Sequence, residues 1–326
     1  MKQLAFAFGV IAALAACKKK AEQKPAEPPP ATPPAAADAP EAKAPEAPAA
    51  WDGKSVLKLE GFSTPESVLY DADDDVYLVS NINGKPLDAD DNGFISKVTT
   101  DGKVAELKWI DGAKDNIKLD APKGLAIANG TLYVADINVV RQFDLKTGAP
   151  KPDIKIDGAT FLNDMAAGKD GSVYVTDSGL DASFKPTGSD AIYQIDKAGK
   201  VKQLIKNGDL NKDLGGPNGV IVDDKGTAWA VTFRSGEIYS VDAKGKRSKP
   251  EKLPKGHLDG IVTLDGGDVL VSSWEGSSVF RGKPGGAWKP VVENVQSPAD
   301  IGWDSKRQRL LIPLFHGNAI QVQTLP

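Results

Sequence analysis

The chain has 326 residues, of which 40% are hydrophobic and 26% charged, and its formal net charge is −4. This is an ordinary globular balance, and without a basic cluster beyond the N-terminus it gives no reason to expect a nucleic-acid partner. One Cys and two His exclude a disulfide scaffold and Cys₄ or His₃ zinc sites, while 33 Gly and 23 Pro favour the many tight turns of a β-rich fold.

The N-terminus has the features of an export signal. A short positive start precedes an apolar run over residues 4–13, which is too short to span a bilayer as a helix. The run ends in Leu14-Ala-Ala-Cys17, which resembles the bacterial lipoprotein lipobox and implies cleavage before Cys17 and acylation of its thiol. We therefore expect residues 1–16 to be a signal peptide. The alternative is an ordinary signal peptide with a Cys there by chance.

A low-complexity segment follows, with three Lys and then mostly Ala, Pro and Glu over residues 18–50. Such a composition cannot bury enough apolar surface to offset the entropy of ordering, and its Pro content favours an extended spacer. We expect residues 17–54 to form an acylated, disordered tether. It would hold the rest of the chain in the bacterial cell envelope, on the outer membrane and facing the periplasm.

From about residue 55, short runs rich in Val, Ile, Tyr and Trp alternate with Asp-Gly, Lys-Gly and Gly-Gly turns, as strands do. A motif of mostly polar or small residues leads into an apolar run six times. Its second position falls at 66, 123, 163, 218, 259 and 299, at intervals of 57, 40, 55, 41 and 40 residues. Four-stranded propeller blades take about 40–45 residues. The two longer intervals predict insertions, around 83–92 and around 179–189 or 206–216.

Six such units account for residues 55–326 and predict an all-β fold, a six-bladed β-propeller. The last copy ends after three strands, and the apolar run at 55–60 can supply its missing outer strand. An N-terminal strand that joins the C-terminal blade would close the ring and hide the sheet edges. A β-sandwich would not explain the six-fold recurrence.

Equivalent residues of all blades converge at one mouth of a propeller's channel, where the innermost strands begin. The residues at that position are Glu66, Lys123, Asn163, Asn218, Asp259 and Ala299. Two carboxylates and two carboxamides form a set of oxygen donors that suits Ca²⁺, Mg²⁺ or Mn²⁺. The alternative is that Lys123 neutralises the carboxylates as an internal counter-charge.

The motifs at these positions resemble those of the gluconolactonase/regucalcin family of six-bladed propellers (senescence marker protein, luciferin-regenerating enzyme), over nearly all of residues 55–326. The resemblance implies a divalent cation, Ca²⁺ ahead of Mg²⁺ or Mn²⁺, bound by Glu66, by Asn218 within Pro-Asn-Gly and by Asp259 within Asp-Gly. It also implies that Asn163, in its Asn-Asp pair, touches the substrate or the metal.

The chain departs from the family pattern in three places. Glu66 is followed by Ser67-Val68 instead of Gly-Pro, and Phe161 stands where the family has an Arg two residues before the Asn-Asp pair. Lys123 matches no ligand of the family. These departures affect the expected substrate more than the fold or the cation site.

The resemblance implies an exported, metal-dependent hydrolase of a small lactone or related ester. The cation would polarise the carbonyl or lower the pKa of a bound water. Asp259 would be a ligand and general base, Asn163 would orient the substrate, and Lys123 would stabilise a developing oxyanion. We expect a monomer whose partners are a small-molecule substrate and, through the lipid, a membrane. The alternative is a non-catalytic propeller that binds a ligand or protein at the cell envelope, since one fold hosts both kinds of function.

Two other features have open alternatives. His257, two residues before Asp259, is either a base or a residue of the rim. Residues 88–93 match the start of a calcium loop, Asp-x-Asp-x-Asn-Gly, but Thr99 stands where such a loop ends in Glu, and a polar insertion is the alternative. We assign no role to His316.

Overall fold

The computed structural model describes residues 56–208 and 213–325, so the predictions for Cys17, the signal peptide and the tether lie outside the described residues. The described chain forms 24 strands and a short 3₁₀ helix at Phe315–Gly317. In chain order the strands are β1 Leu57–Glu60, β2 Pro65–Asp71, β3 Val76–Asn81, β4 Phe94–Thr99, β5 Val104–Asp111, β6 Pro122–Ala128, β7 Thr131–Asp136, β8 Val139–Asp144, β9 Pro150–Lys155, β10 Leu162–Ala167, β11 Val173–Asp177, β12 Ala191–Ile195, β13 Val201–Lys206, β14 Pro217–Val222, β15 Ala228–Thr232, β16 Glu237–Val241, β17 Glu251–Lys252, β18 Leu258–Thr263, β19 Val269–Ser273, β20 Ser278–Gly282, β21 Lys289–Glu293, β22 Gly302–Asp304, β23 Arg309–Leu314 and β24 Ala319–Thr324. In these ranges we find no helix with the length and apolar character that a membrane crossing requires.

The strands form six antiparallel sheets of four, each a blade of one ring. Blades 1 to 5 are β2–β5, β6–β9, β10–β13, β14–β17 and β18–β21, and the innermost strands of successive blades contact one another around the channel. Blade 6 has the order β22-β23-β24-β1, with Leu57 of β1 opposite Val322 of β24. The predicted six-bladed propeller, closed by an N-terminal strand, is confirmed.

Burial explains why the strands are short apolar runs. The second strand of each blade is almost wholly buried, as in β7 and β19, because neighbouring blades cover both of its faces. The outer strands are largely exposed, as in β5. The hydrophobic core therefore consists of clusters between adjacent blades, such as the one that joins blades 2 and 3 around Ala135, Met165 and Val175.

The repeat motif lies on a β-bulge inside the start of each inner strand in blades 1 to 5, and not before the strand as we had expected. In β14, for example, Pro217 pairs with Thr232 but Val220 pairs with Ala230, so an extra residue stands on the inner strand. The same shift recurs at the starts of β2, β6, β10 and β18. A bulge redirects side chains, and here it turns the second motif residue toward the mouth of the channel.

The third motif residue is Gly in blades 2, 4 and 5, because the next inner strand passes too closely for a side chain. A Cβ atom at Gly260 would lie 2.3 Å from the main-chain nitrogen of Ile301, and one at Gly219 would lie 2.3 Å from the main-chain oxygen of Asp259. One at Gly124 would lie 2.4 Å from the Asp164 Cα. These glycines let the inner strands converge tightly around the channel.

Gly260→Ala is expected to lower the free energy of unfolding by about 1–3 kcal/mol, because the backbone of the next blade has to move. Urea unfolding followed by tryptophan fluorescence measures the change. Gly84→Ala is the matched control, since its nearest atom would be the flexible Asp88 carboxylate at 3.8 Å. Equal stabilities of the two variants would contradict the close approach of the strands.

Candidate functional site

A cavity of about 540 Å³ opens at the mouth of the channel where the inner strands begin. Its floor contains the five polar residues that the repeat predicts to converge there, and each is 6% exposed or less: Glu66, Lys123, Asn163, Asn218 and Asp259. The sixth residue of the ring, Ala299, is fully buried and does not line the cavity. The structure thus brings side chains from blades 1 to 5 together in one place.

Hydrogen bonds fix how the two carboxamides face. The Asn163 Nδ2 donates to the Ser178 Oγ at 2.9 Å, and that hydroxyl donates to the Pro217 carbonyl at 2.7 Å. The Asn218 Nδ2 donates to the Leu258 carbonyl at 3.4 Å. Both NH₂ groups therefore donate to acceptors within the protein, and both Oδ1 atoms are left to face the cavity.

Four buried oxygen atoms of the floor have no hydrogen-bond partner in the described part of the chain. They are the Glu66 Oε2, the Asn163 Oδ1, the Asn218 Oδ1 and the Asp259 Oδ1. A buried acceptor without a partner costs about 1–3 kcal/mol, so four of them lining one cavity favour a ligand that binds oxygen. Carboxylate and amide oxygens are the ligands of Ca²⁺ and Mg²⁺, and these four residues fit such a cation. The set depends on its amides, since no group of three or more His, Cys, Asp or Glu suited to a metal occurs among the described residues.

Burial works against ionisation of both floor carboxyls. It raises the pKa of Glu66 well above its ordinary value, and the charges of Asp259 and Asp300 raise that pKa further, while Lys123 lowers it. Burial and then the Asp300 charge raise the pKa of Asp259, while Trp274 and Asn218 lower it. A cation beside the two carboxylates would oppose both shifts, because an opposite charge stabilises the ionised form.

Lys123 does not neutralise the floor carboxylates by direct pairing. Its Nζ donates to the Ala121 carbonyl at 3.0 Å and lies 4.7 Å from the centre of the Phe161 ring, and no ion pair joins it to Glu66 or Asp259. Burial lowers the pKa of Lys123 to about 8, and the charges of nearby carboxylates oppose this shift. The internal counter-charge acts at a distance and leaves the floor oxygens without partners.

A second repeat position, which the sequence analysis missed, forms much of the wall. It is the residue directly after the second strand of a blade, and the cavity is lined by Ile82, Ser178, Phe233, Trp274 and Phe315. Each N–H of this set donates to the carbonyl of the residue that precedes the repeat motif of its own blade, as from Trp274 to the His257 carbonyl at 3.0 Å. This repeated bond holds the wall directly above the floor.

The aromatic members of the wall contact one another. The ring centre of Trp274 lies 5.7 Å from that of Phe233, edge to face, and 5.2 Å from that of Phe315. Across the cavity, Phe161 and Phe184 lie 6.2 Å apart. The buried Nε1 of Trp274 has no hydrogen-bond partner in the described structure.

The two histidines lie differently with respect to the cavity. His257 is exposed and stacks on Phe233 at 4.8 Å, and it does not line the cavity, which agrees with the rim alternative. His316, to which we had assigned no role, lies on the cavity rim in contact with Trp274 and Phe315.

A second layer of acidic residues lies on the other side of the floor. Asp164 and Asp300, at the third motif position, line a cavity of about 370 Å³ with Ser67, whose Oγ donates to the Asp300 Oδ2 at 2.5 Å. Asp164 accepts from the Met165 and Val220 nitrogens at 2.6 and 2.7 Å. Burial raises the pKa of Asp300 to about 7. Asp300 was not identified from the sequence, because its motif position is Gly in three of the six copies and showed no common chemistry.

The loop at residues 88–93, which resembles the start of a calcium site, lies between β3 and β4. Asp91 pairs with Lys118, and the Asp90 carboxylate accepts from the Asn92 amide at 2.6 Å. The chain just before this loop contributes Lys85 and Pro86 to the cavity rim. The predicted insertion at 179–189 contributes Leu180 and Phe184. Both insertions therefore shape the entrance to the cavity.

The six blades around one channel, with a polar cavity at one mouth, define a class, the six-bladed β-propellers. The sequence profile of the SMP-30/gluconolactonase/LRE-like region matches residues 64–303. The chain belongs to this family, as the motifs had indicated. A search of curated proteins finds no match to the sequence.

Solved structures share the fold at low sequence identity. A gluconolactonase from Xanthomonas campestris is 19% identical with a TM-score of 0.64, covering 83% of this chain and 89% of its own. A luciferin-regenerating enzyme is 12% identical with a TM-score of 0.61, covering 82% and 95%. A regucalcin from Agrobacterium tumefaciens, described as calcium-binding, is 16% identical with a TM-score of 0.57, covering 81% and 91%. These likenesses show the fold alone.

Asp300→Asn is expected to stabilise the protein increasingly as the pH rises from 4 to 8, with EDTA present. The folded state holds the Asp300 proton up to about pH 7, whereas the unfolded chain releases it near pH 4, so stability present below pH 4 is lost as the pH rises through 7. The variant avoids this loss, which is on the order of 4 kcal/mol, and its amide oxygen can still accept from Ser67.

Urea unfolding at each pH measures the difference between the variant and the wild type. Asp224→Asn is the control, because the Asp224 side chain is 76% exposed on the surface. A gain in the Asp300 variant that does not change with pH would contradict a raised pKa at this position.

Proposed function

We propose that this protein is a divalent-cation-dependent hydrolase of a small lactone or related ester. The observation that carries the proposal is the set of four unpartnered oxygen atoms, from four different blades, on the floor of one cavity. Membership of the SMP-30/gluconolactonase/LRE-like family supports it, as does the likeness to a gluconolactonase and to a regucalcin described as calcium-binding.

Glu66, Asn163, Asn218 and Asp259 would hold the cation, Ca²⁺ ahead of Mg²⁺ or Mn²⁺. Bound there, it would supply Lewis acidity toward an ester carbonyl or a water molecule. The amide orientation supports this assignment, because Ser178 and the Leu258 carbonyl occupy the NH₂ groups and leave the oxygens free. The cavity above the floor is in the size range of small-molecule sites, about 300–1,000 Å³.

Three residues would have separate roles in the hydrolysis. Asp259, whose pKa is raised by burial, would accept the proton of the attacking water. Asn163 would orient the substrate, since its side chain is held by Ser178. Lys123 lines the same floor, and its ammonium form would stabilise negative charge on the carbonyl oxygen as water adds. Addition of water to the lactone carbonyl and cleavage of the acyl C–O bond give one hydroxy acid, and the departing alkoxide takes up the proton that Asp259 accepted, with no other reactant.

We also propose that the propeller works as a monomer at the bacterial outer membrane, facing the periplasm. The lipobox-like ending at Cys17 and the Pro-rich segment after it support lipid attachment through a spacer. Such a spacer would keep the cavity accessible to small molecules in solution.

Binding of a cation is expected to raise the melting temperature of EDTA-treated protein by several degrees. An ion at 100 times its Kd stabilises by about 2.7 kcal/mol, because the folded state alone brings the four ligands together. Thermal melts with Ca²⁺, Mg²⁺ and Mn²⁺ identify the ion. Asp259→Asn should lose the effect and Asp224→Asn should keep it. If none of the three ions changes the melting temperature of the wild type, the proposal of a cation site is wrong.

Asp259→Asn is expected to lower kcat/KM for lactone hydrolysis by at least about 100-fold, because it removes both a cation ligand and the proton acceptor. A pH-indicator assay on a panel of δ-lactones measures the rate, with circular dichroism to confirm folding and Asp224→Asn as the control. Equal rates in the wild type and Asp259→Asn would contradict the proposed hydrolase activity and leave the alternative of a ligand-binding propeller.

A further inference from the structure

The walls of the cavity differ chemically from its floor. Above the polar floor, the lining side chains are mainly hydrocarbon and aromatic: Ile82, Pro86, Phe161, Leu180, Phe184, Phe233, Trp274 and Phe315. We propose that the ester bound here carries an apolar alkyl or aryl group, not a polyhydroxylated ring, and that Trp274 selects it. The inference rests on the proposed function and specifies its substrate class.

Few polar groups are available to a substrate that carries many hydroxyls. Above the floor these are Thr64, Lys85, Ser178 and His316. The Ser178 hydroxyl already bonds the Pro217 carbonyl and the Asn163 amide, while Lys85 and His316 are exposed on the rim. A hydroxyl buried without a partner is costly, so sites that accept polyols line their walls with donors and acceptors. Among the described residues, this wall provides few such donors and acceptors.

Phe161 contributes directly to this difference. It is 5% exposed and packs its ring over the Lys123 ammonium at 4.7 Å. The ring covers one side of the Lys123 ammonium, the one cationic group among the described floor residues. The aromatic face that remains toward the cavity suits a hydrocarbon.

Trp274 is placed to contact both parts of such a substrate. Its ring lies between Phe233 and Phe315, at 5.7 and 5.2 Å, and forms the centre of the aromatic wall. Its buried Nε1 forms no hydrogen bond of ordinary length and lies near the Asp259 carboxyl, whose pKa it lowers, at the edge of the floor. The ring can therefore pack against an apolar group while the N–H donates to an ester oxygen.

Phe184 extends the apolar surface to the entrance. Its side chain is 56% exposed, and its φ of 57° is a conformation that bulky residues rarely adopt. The turn is fixed by a hydrogen bond from the Phe184 nitrogen to the Asp181 carbonyl at 2.8 Å, and the Asp181 carboxylate accepts from the Ser183 and Lys185 nitrogens. The exposed ring held in this conformation packs against Phe161, with the two ring centres 6.2 Å apart.

The test compares δ-lactones that share the ester and differ in their substituents: glucono-δ-lactone, δ-valerolactone, δ-decalactone and dihydrocoumarin. With Ca²⁺ present, kcat/KM for the alkyl and aryl lactones should exceed that for the polyhydroxylated lactone by at least tenfold. The highest kcat/KM for glucono-δ-lactone would overturn the proposal.

Two variants separate the roles of Trp274. Trp274→Ala removes the ring and should lower kcat/KM at least tenfold more for dihydrocoumarin than for δ-valerolactone. Trp274→Phe keeps an aromatic face and should affect the two lactones alike, because only the N–H is lost. Trp303→Phe is the matched control, since that indole Nε1 is also buried without a partner but lines the opposite end of the channel. An unchanged substrate ratio in Trp274→Ala would contradict the selection by Trp274.

A binding measurement keeps the inference separate from catalysis. Lactams are not hydrolysed under these conditions, so calorimetry with dihydroquinolinone and gluconolactam compares apolar and polyhydroxylated rings directly. At least tenfold tighter binding of the apolar lactam, without hydrolysis of any lactone, would support the ligand class and reject the hydrolase. Equal or weaker binding of the apolar lactam would overturn the ligand class whatever the activity.

Discussion

The close approach of the inner strands around the channel is the constraint on which the rest of the structure depends. Where one strand passes another at the motif, there is no room for a Cβ atom at Gly124, Gly219 or Gly260. The bulges at the same points turn the preceding side chains toward one mouth. Residues from five blades therefore meet in a space only a few side chains wide, and no part of the local sequence around any one of them could achieve this alone.

This convergence is unfavourable for the folded protein in the absence of a ligand. Glu66, Asp164, Asp259 and Asp300 are buried along one axis, and burial raises the pKa of each carboxyl. Lys123 is the one cationic side chain lining the floor and pairs with none of them at short range. A fold selected for stability alone would fill this space with apolar residues. The retention of unpartnered oxygens points to binding as the reason for them.

The sequence was sufficient to predict the fold and the floor because both follow one period. The motif recurs at a spacing that matches a blade, and its second position has carboxylates and carboxamides in four of six copies. The wall could have been found by the same method, from the residue after each second strand, but its members are chemically mixed, from Ile82 to Ser178 to Trp274. Asp300 was missed because its position is Gly in three copies, Asp in two and Ser in one, which indicates no common chemistry. The entrance was missed because insertions such as the Phe184 turn follow no period.

Blade 6 joins the two ends of the described chain, with β1 from the beginning held by β24 from the end. During synthesis, β1 has no partner until the final strand has been made, and blade 1 has no neighbour on one side. Contacts this distant in sequence form slowly, and an unpaired strand edge can associate with other chains in the meantime. Ring closure is therefore expected to be a late, all-or-none event in folding. The floor is assembled from blades on both sides of the closing seam, so it forms only when the ring closes.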